Sequence, residues 1–81
     1  MTQKEIFDAV QEIFRDIFDD EELVITRDTT ADDIEDWDSL EQINLLTAVG
    51  RRFGLKFKLE DVSGLENVGA MLDLVERMLK S

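Results

Sequence analysis

The sequence predicts an all-α fold: a small bundle of three main helices plus one short helix, with a long loop between the first two. Three observations carry that expectation. Apolar residues recur at spacings of three and four in three separate stretches, about 3–18, 39–53 and 68–79. A side chain suited to N-capping stands before each stretch, at Thr2, Asp38 and Asn67. Proline, the residue that breaks helix interiors, is absent.

In the first stretch Ile6, Val10, Ile13, Phe14 and Ile17 form the stripe, and Phe7 and Phe18 widen it. Thr2 followed three residues later by Glu5 matches a capping box. The run Asp19-Asp20-Glu21-Glu22 is expected to end the helix, because negative charge at a helix C-terminus opposes the macrodipole. Leu23 to Ile25 is a short apolar patch that can tuck against the core. The polar connection from Thr26 to Asp38 is long for so small a chain, and connections of that kind usually serve function. Within it, Thr30 and Asp33 are placed to cap one turn across Ala31–Ile34.

The second helix is expected from Ser39 to about Phe53, with Leu40, Ile43, Leu46 (or Leu45), Val49 and Phe53 on its apolar face. Arg51 and Arg52 suit its last turn, and Gly54 suits the position just beyond. Leu55 to Leu59 alternates apolar and basic residues, yet it is five residues long and has no partner strand. It is read as an extended connector that buries Leu55 and Phe57. One short helical turn over Glu60–Ser63, stopped by Gly64, leads to the last helix, Val68 to about Leu79. Val68, Met71, Leu72, Val75, Met78 and Leu79 are expected to face inward there.

Residues 1–81 read as one domain. The chain has no Cys, so neither a disulfide nor a thiolate metal site reinforces it. Net charge is −11, which argues against nucleic acid and anionic membrane surfaces and for a partner with a basic docking face. The charge is uneven: residues 1–41 hold 15 acids and 3 bases, whereas residues 42–81 hold 5 acids and 6 bases. The negative field therefore comes from the half that ends near Ser39. No signal peptide and no membrane-length apolar run is seen, so the expected setting is the cytoplasm, without membrane insertion, and as a monomer. The acidic runs lack the glycine and spaced oxygen ligands of a calcium loop, so no dedicated metal site is expected.

Chemistry is scarce. The chain has no Cys, His or Tyr, and so few ways to act as a nucleophilic or acid–base catalyst. No catalytic residue is expected, and no enzyme. The place to look is Trp37-Asp38-Ser39-Leu40, a serine at a helix start ringed by carboxylates. Read by position alone, Ser39 is an ordinary cap or first-turn residue and Asp38 an N-cap.

Asp38-Ser39-Leu40, then an apolar-periodic helix and Arg52-Phe53-Gly54-Leu55, resembles the acyl carrier protein family. Leu59-Glu60-Asp61-Val62 and Asn67-Val68-Gly69 look like that family's short third helix and the start of its last, so the likeness spans residues 3–80. The resemblance implies that Ser39 is esterified by 4'-phosphopantetheine from coenzyme A, and that the arm's thiol carries an acyl or aminoacyl group as a thioester. A helix N-terminus suits a phosphodiester, and a chain without Cys has to import its thiol. The implied partners are a phosphopantetheinyl transferase and the acyl-loading and acyl-processing enzymes of fatty acid, polyketide or related biosynthesis. Trp37, Asp38, Leu40 and Glu41 are the expected partner contacts. Packing loop against helix is an equal alternative for Trp37, and Leu40 is expected to be at least partly exposed. The second helix departs from the fatty-acid-synthesis type, which is acidic throughout. Here Gln42 and Asn44 are neutral, Gly50, Arg51 and Arg52 end the helix, and Lys56 and Lys58 follow. Two other readings stay open: an aminoacyl or peptidyl carrier, and a cofactor-free helical interaction module.

Overall fold

A computed structural model describes residues 2–34, 36–58, 60–61 and 65–80. Its helices are α1 (Gln3–Ile17), α2 (Ser39–Phe53) and α3 (Val68–Lys80), with a 3₁₀ turn at Ala31–Asp33. No strand is present among the described residues, and segment 55–58 is extended without pairing. Glu60 and Asp61 are helical, whereas Leu59 and the remainder of the expected short turn, Val62 to Gly64, lie outside the described residues.

Helix α1 begins as its sequence requires. The Thr2 hydroxyl accepts the Glu5 N–H at 3.2 Å, and the Glu5 carboxylate accepts the Thr2 N–H at 3.2 Å. The far end lies at the acidic run, as expected, and backbone geometry closes it. Asp19 takes a left-handed conformation (φ 50°), and the Asp20 N–H closes back onto the Arg15 carbonyl at 3.0 Å. That 6→1 closure satisfies a carbonyl the helix leaves unpaired.

Helix α1 packs against both α2 and α3. Ile6, Val10, Ile13 and Phe14 meet Leu45, Leu46 and Val49 of α2 and Val68, Met71, Leu72 and Val75 of α3 in one buried cluster. Two expectations about helix faces need correction. Ile43, placed on the apolar face of α2, is 53% exposed, whereas Leu40, on the same face but expected to be at least partly exposed, is 64% exposed as expected. At about 100° per residue, Leu45 and Val49 pull the buried stripe away from Leu40 and Ile43. In α3 Leu74 is buried, whereas Leu79 stands at the surface and Met78 is half-buried.

The long connection is bound to the helices along its length. Ile25 is buried at 1% exposure, worth about 1.5–3 kcal/mol and more than a typical exposed ion pair. Arg15 Nε donates to the Leu23 carbonyl at 2.7 Å, and the Ile25 N–H donates to Gln11 Oε1 at 3.1 Å. At the start of α3, Val68 and Gly69 donate their N–H groups to the carbonyls of Thr29 (2.9 Å) and Arg27 (2.8 Å), while Asn67 Oδ1 caps the Ala70 N–H at 2.8 Å. A Cβ at Gly69 would lie 2.9 Å from the Arg27 oxygen, so glycine permits that approach. The Arg27 guanidinium completes the clasp with two bonds to Asp73 (3.0 and 2.9 Å).

Gly54 ends α2 in the left-handed region (φ 69°), and the Leu55 N–H returns to the Gly50 carbonyl at 2.8 Å. Gly50 is buried, and a Cβ there would stand 2.7 Å from the Leu55 oxygen. Among the described residues no helix is long and apolar enough to cross a membrane.

Three stability measurements follow. Asp19→Gly relieves the left-handed strain and removes a negative charge from the end of α1, so it is expected to stabilise by about 0.5–1 kcal/mol and raise the melting temperature by a few degrees. An unchanged or lower value would show that the aspartate is not strained. Gly50→Ala forces the 55–57 segment off α2 and should cost about 1–3 kcal/mol, exceeding the roughly 1 kcal/mol gain in helix propensity. Chemical denaturation giving a variant as stable as wild type would refute that contact. Added NaCl or MgCl₂ is expected to raise the melting temperature, because the acids of 19–22 and Asp28, Asp32, Asp33, Asp36 and Asp38 have no cationic partner in any ion pair seen among the described residues. A melting temperature that stays flat or falls with salt would rule out carboxylate crowding as a destabilising force.

Candidate functional site

The site is built by the end of the long connection and the first turn of α2. Trp37 enters the core beside α1. Its ring meets Phe14 edge-on, with centroids 5.2 Å apart and planes at 86°, and its Nε1–H donates to Gln42 Oε1 at 2.7 Å. At 8% exposure Trp37 packs loop against helix, the alternative to partner contact considered for it. The Trp37 N–H also closes a turn onto the Ile34 carbonyl at 3.1 Å. The ring is thereby held on both its edge and its nitrogen. The residues that follow leave the core at a set angle.

Asp38 is the N-cap. Its Oδ1 accepts the Glu41 N–H at 2.9 Å, and its carbonyl accepts the Gln42 N–H at 2.9 Å. Ser39 is therefore the first helical residue and not the cap. Its side chain is exposed and makes no hydrogen bond to any described residue. The N–H groups of Ser39 and Leu40 precede the first intrahelical bond and open toward solvent at the positive end of the helix dipole. Leu40 is exposed, and Glu41, in the same first turn, is partly buried.

Trp37, Asp38, Ser39, Leu40 and Glu41 thus form one short continuous site, but with different roles. The first holds the loop, the second caps, and Ser39 and Leu40 face outward. Two contributors were not picked out from the sequence. Gln42 shows in the sequence only as a neutral residue, yet it anchors the indole. Ile43 lies on the expected apolar face of α2, yet it continues the exposed apolar surface that Leu40 begins. The signal for Ile43 was present in the Leu45-Leu46 pair, which fixes the inward direction of the helix once both are buried.

The chemistry available here is limited. A serine hydroxyl with no imidazole, thiolate or amine beside it is not activated as a nucleophile by its own chain. It is an exposed hydroxyl, open to solvent. The arrangement fits a phosphodiester on Ser39: the hydroxyl is free of competing bonds, two N–H groups lie at the same helix end, and the Asp38 carboxylate is already engaged in capping.

Comparison with known proteins agrees with this geometry. A family model described as "Phosphopantetheine attachment site" matches residues 8–75. An acyl carrier protein from Petrotoga mobilis is 32% identical over 79 residues, which covers 98% of this chain and 93% of that protein. The meromycolate extension acyl carrier protein of Mycobacterium leprae is 28% identical over 78 residues, covering 96% of this chain and 68% of that protein. The solution structure of holo acyl carrier protein from Geobacter metallireducens superposes with a TM-score of 0.85 at 43% identity, covering 93% of this chain and 86% of that one. The helical layout, the exposed serine at the start of α2 and these likenesses converge: the chain belongs to the acyl carrier protein family, whose members are carriers bearing a phosphopantetheine prosthetic group and not enzymes.

Proposed function

We propose that Ser39 is the attachment point of 4'-phosphopantetheine and that the protein presents acyl intermediates to the enzymes of fatty acid, polyketide or related biosynthesis. The observation that carries this reading is the division of labour at the start of α2. Asp38 performs the capping that a serine in this position commonly performs, and Ser39 is left exposed with its hydroxyl unengaged. When bound, the group supplies a thiol on a long flexible arm, which holds acyl cargo as a thioester.

The residues of this chain do the rest. Trp37 and Gln42 fix the loop that delivers Ser39, so the hydroxyl stands at one place relative to the helix axis. The N–H groups of Ser39 and Leu40 meet the phosphate's negative charge. Asp38 and Glu41 repel the phosphate from the adjoining surface and attract Lys and Arg of a modifying transferase. Leu40 and Ile43 offer the apolar contact beside those charges. Tethering cargo this way raises its effective concentration at each docked enzyme. The names of the relatives, acyl carrier protein and meromycolate extension acyl carrier protein, support acyl cargo over aminoacyl cargo.

Intact mass after incubation with coenzyme A, Mg²⁺ and a broad-specificity phosphopantetheinyl transferase tests the attachment. The wild-type chain should gain one phosphopantetheine and Ser39→Ala none, with circular dichroism showing both folded. A gain on Ser39→Ala would move the attachment elsewhere, and no gain on the folded wild type would count against the carrier reading.

A further inference from the structure

The far end of α2 carries the opposite charge to the end that bears Ser39. Residues 42–58 contain four bases (Arg51, Arg52, Lys56 and Lys58) and no acid, in a chain of net charge −11. Arg52 lies 3.7 Å from Glu12 of α1. Arg51, Lys56 and Lys58 are exposed and take part in no ion pair seen among the described residues. Compensation of the helix dipole accounts for arginines in the last turn, but not for two lysines beyond it.

An open groove of about 670 Å³ lies at the same place, between α2 and the 55–57 segment. Ile43, Thr47, Leu55 and Phe57 line it, together with Arg51 and Lys56. Gly50 makes the groove possible, because only a residue without a Cβ lets the Leu55 carbonyl lie so close to the helix. Ile43, 53% exposed, and Leu40, 64% exposed, continue its apolar surface toward Ser39. Asp38 and Arg51 stand 13 residues apart, about 20 Å along a helix. That exceeds the roughly 8 Å screening length at physiological ionic strength, so the two ends present independent fields to a partner.

We infer that this groove is a second docking surface, of reversed polarity, for a partner protein that inserts an apolar side chain between Ile43 and Phe57 and sets carboxylates against Arg51 and Lys56. Charge complementarity selects this occupant: a basic partner face is repelled at this end of α2 and attracted at the other. The inference rests on the carrier reading, since a carrier has to dock on the enzymes it serves. It adds that at least one of them has an acid-rich docking element, and that the register of a partner along α2 is set by opposite charges at its two ends.

Two synthetic amphipathic helical peptides provide the probe, sharing a leucine face and differing only in Glu or Lys at the flanking positions. Titrated into the ¹⁵N-labelled protein, the Glu peptide should give saturable amide shifts at Ile43, Thr47, Gly50, Arg51 and Phe57, and the Lys peptide should not. Arg51→Glu combined with Lys56→Glu should weaken the Glu peptide by about tenfold or more and bring the Lys peptide into the groove. Equal binding of both peptides, shifts confined elsewhere, or a variant that binds the Glu peptide as before would overturn the proposal. Shifts at these amides on simple concentration would overturn it in favour of a contact between copies of this chain. Shifts with decanoate at these amides but not with the Glu peptide would replace it with a small-amphiphile site. Transferase labelling of wild type and double variant is read in parallel by intact mass. A wild type that takes the phosphopantetheine but fails to bind the Glu peptide refutes the groove alone, and a folded wild type that binds the peptide but takes no phosphopantetheine refutes the carrier reading alone.

Discussion

Most of what this protein presents to others depends on how one indole is held. Trp37 sits at the end of the long connection, edge-on to Phe14 of α1 and hydrogen-bonded through its nitrogen to Gln42 of α2. An aromatic pair of this kind adds about 0.5–1.5 kcal/mol beyond the area it buries. The buried N–H would be costly if unpaired, so Gln42 is required as much as the ring. Together they join the loop, the core and the functional helix at a single point. The next two residues, Asp38 and Ser39, inherit their positions from it.

The remainder of the connection is treated in the same way. Carbonyls of Arg27 and Thr29 serve as acceptors for the first turn of α3, and Ile25 is sunk into the core. A helix start needs acceptors or water for its first N–H groups, and here the loop supplies them. The loop stabilises α3 while α3 orders the loop. The first turn of α2 is different. Asp38 satisfies one N–H, and the N–H groups of Ser39 and Leu40 are left facing solvent. Two helix starts in one small protein are therefore resolved oppositely, one closed by the fold and one left open to solvent.

Charge follows a similar division. The acidic residues crowd the first half of the chain and the loop before Ser39, while the second half of α2 and the segment after it are basic. Among the described residues few of these charges are paired, Arg52 with Glu12 and Asp8 with Lys4, and such exposed ion pairs contribute about 0–1 kcal/mol each. The charges therefore contribute little to holding the helices together. Their separation along α2 instead gives the exposed face of that helix a direction, which a docking partner can read.

The helices, their starts and the serine were legible in the sequence because each is a local property. The Thr2–Glu5 box, Asn67 and Gly54 act within one turn, and the apolar spacing of α1 repeats regardless of what it packs against. The acyl carrier likeness was legible for the same reason, since its motif residues are contiguous. The face of α2 was not. Leu40, Ile43, Leu45, Leu46 and Val49 offer two overlapping apolar stripes, and only packing against α1 selects Leu45 and Val49 for burial and turns Leu40 and Ile43 outward. The role of Trp37 was equally undecidable, because burying an indole depends on Phe14 and Gln42 being brought to it. The sequence by itself determined which residues start and stop each helix and that a serine stands at the start of α2. Tertiary structure decided which apolar side chains remain free for partners, because burial is a property of the assembled helices and not of any one of them.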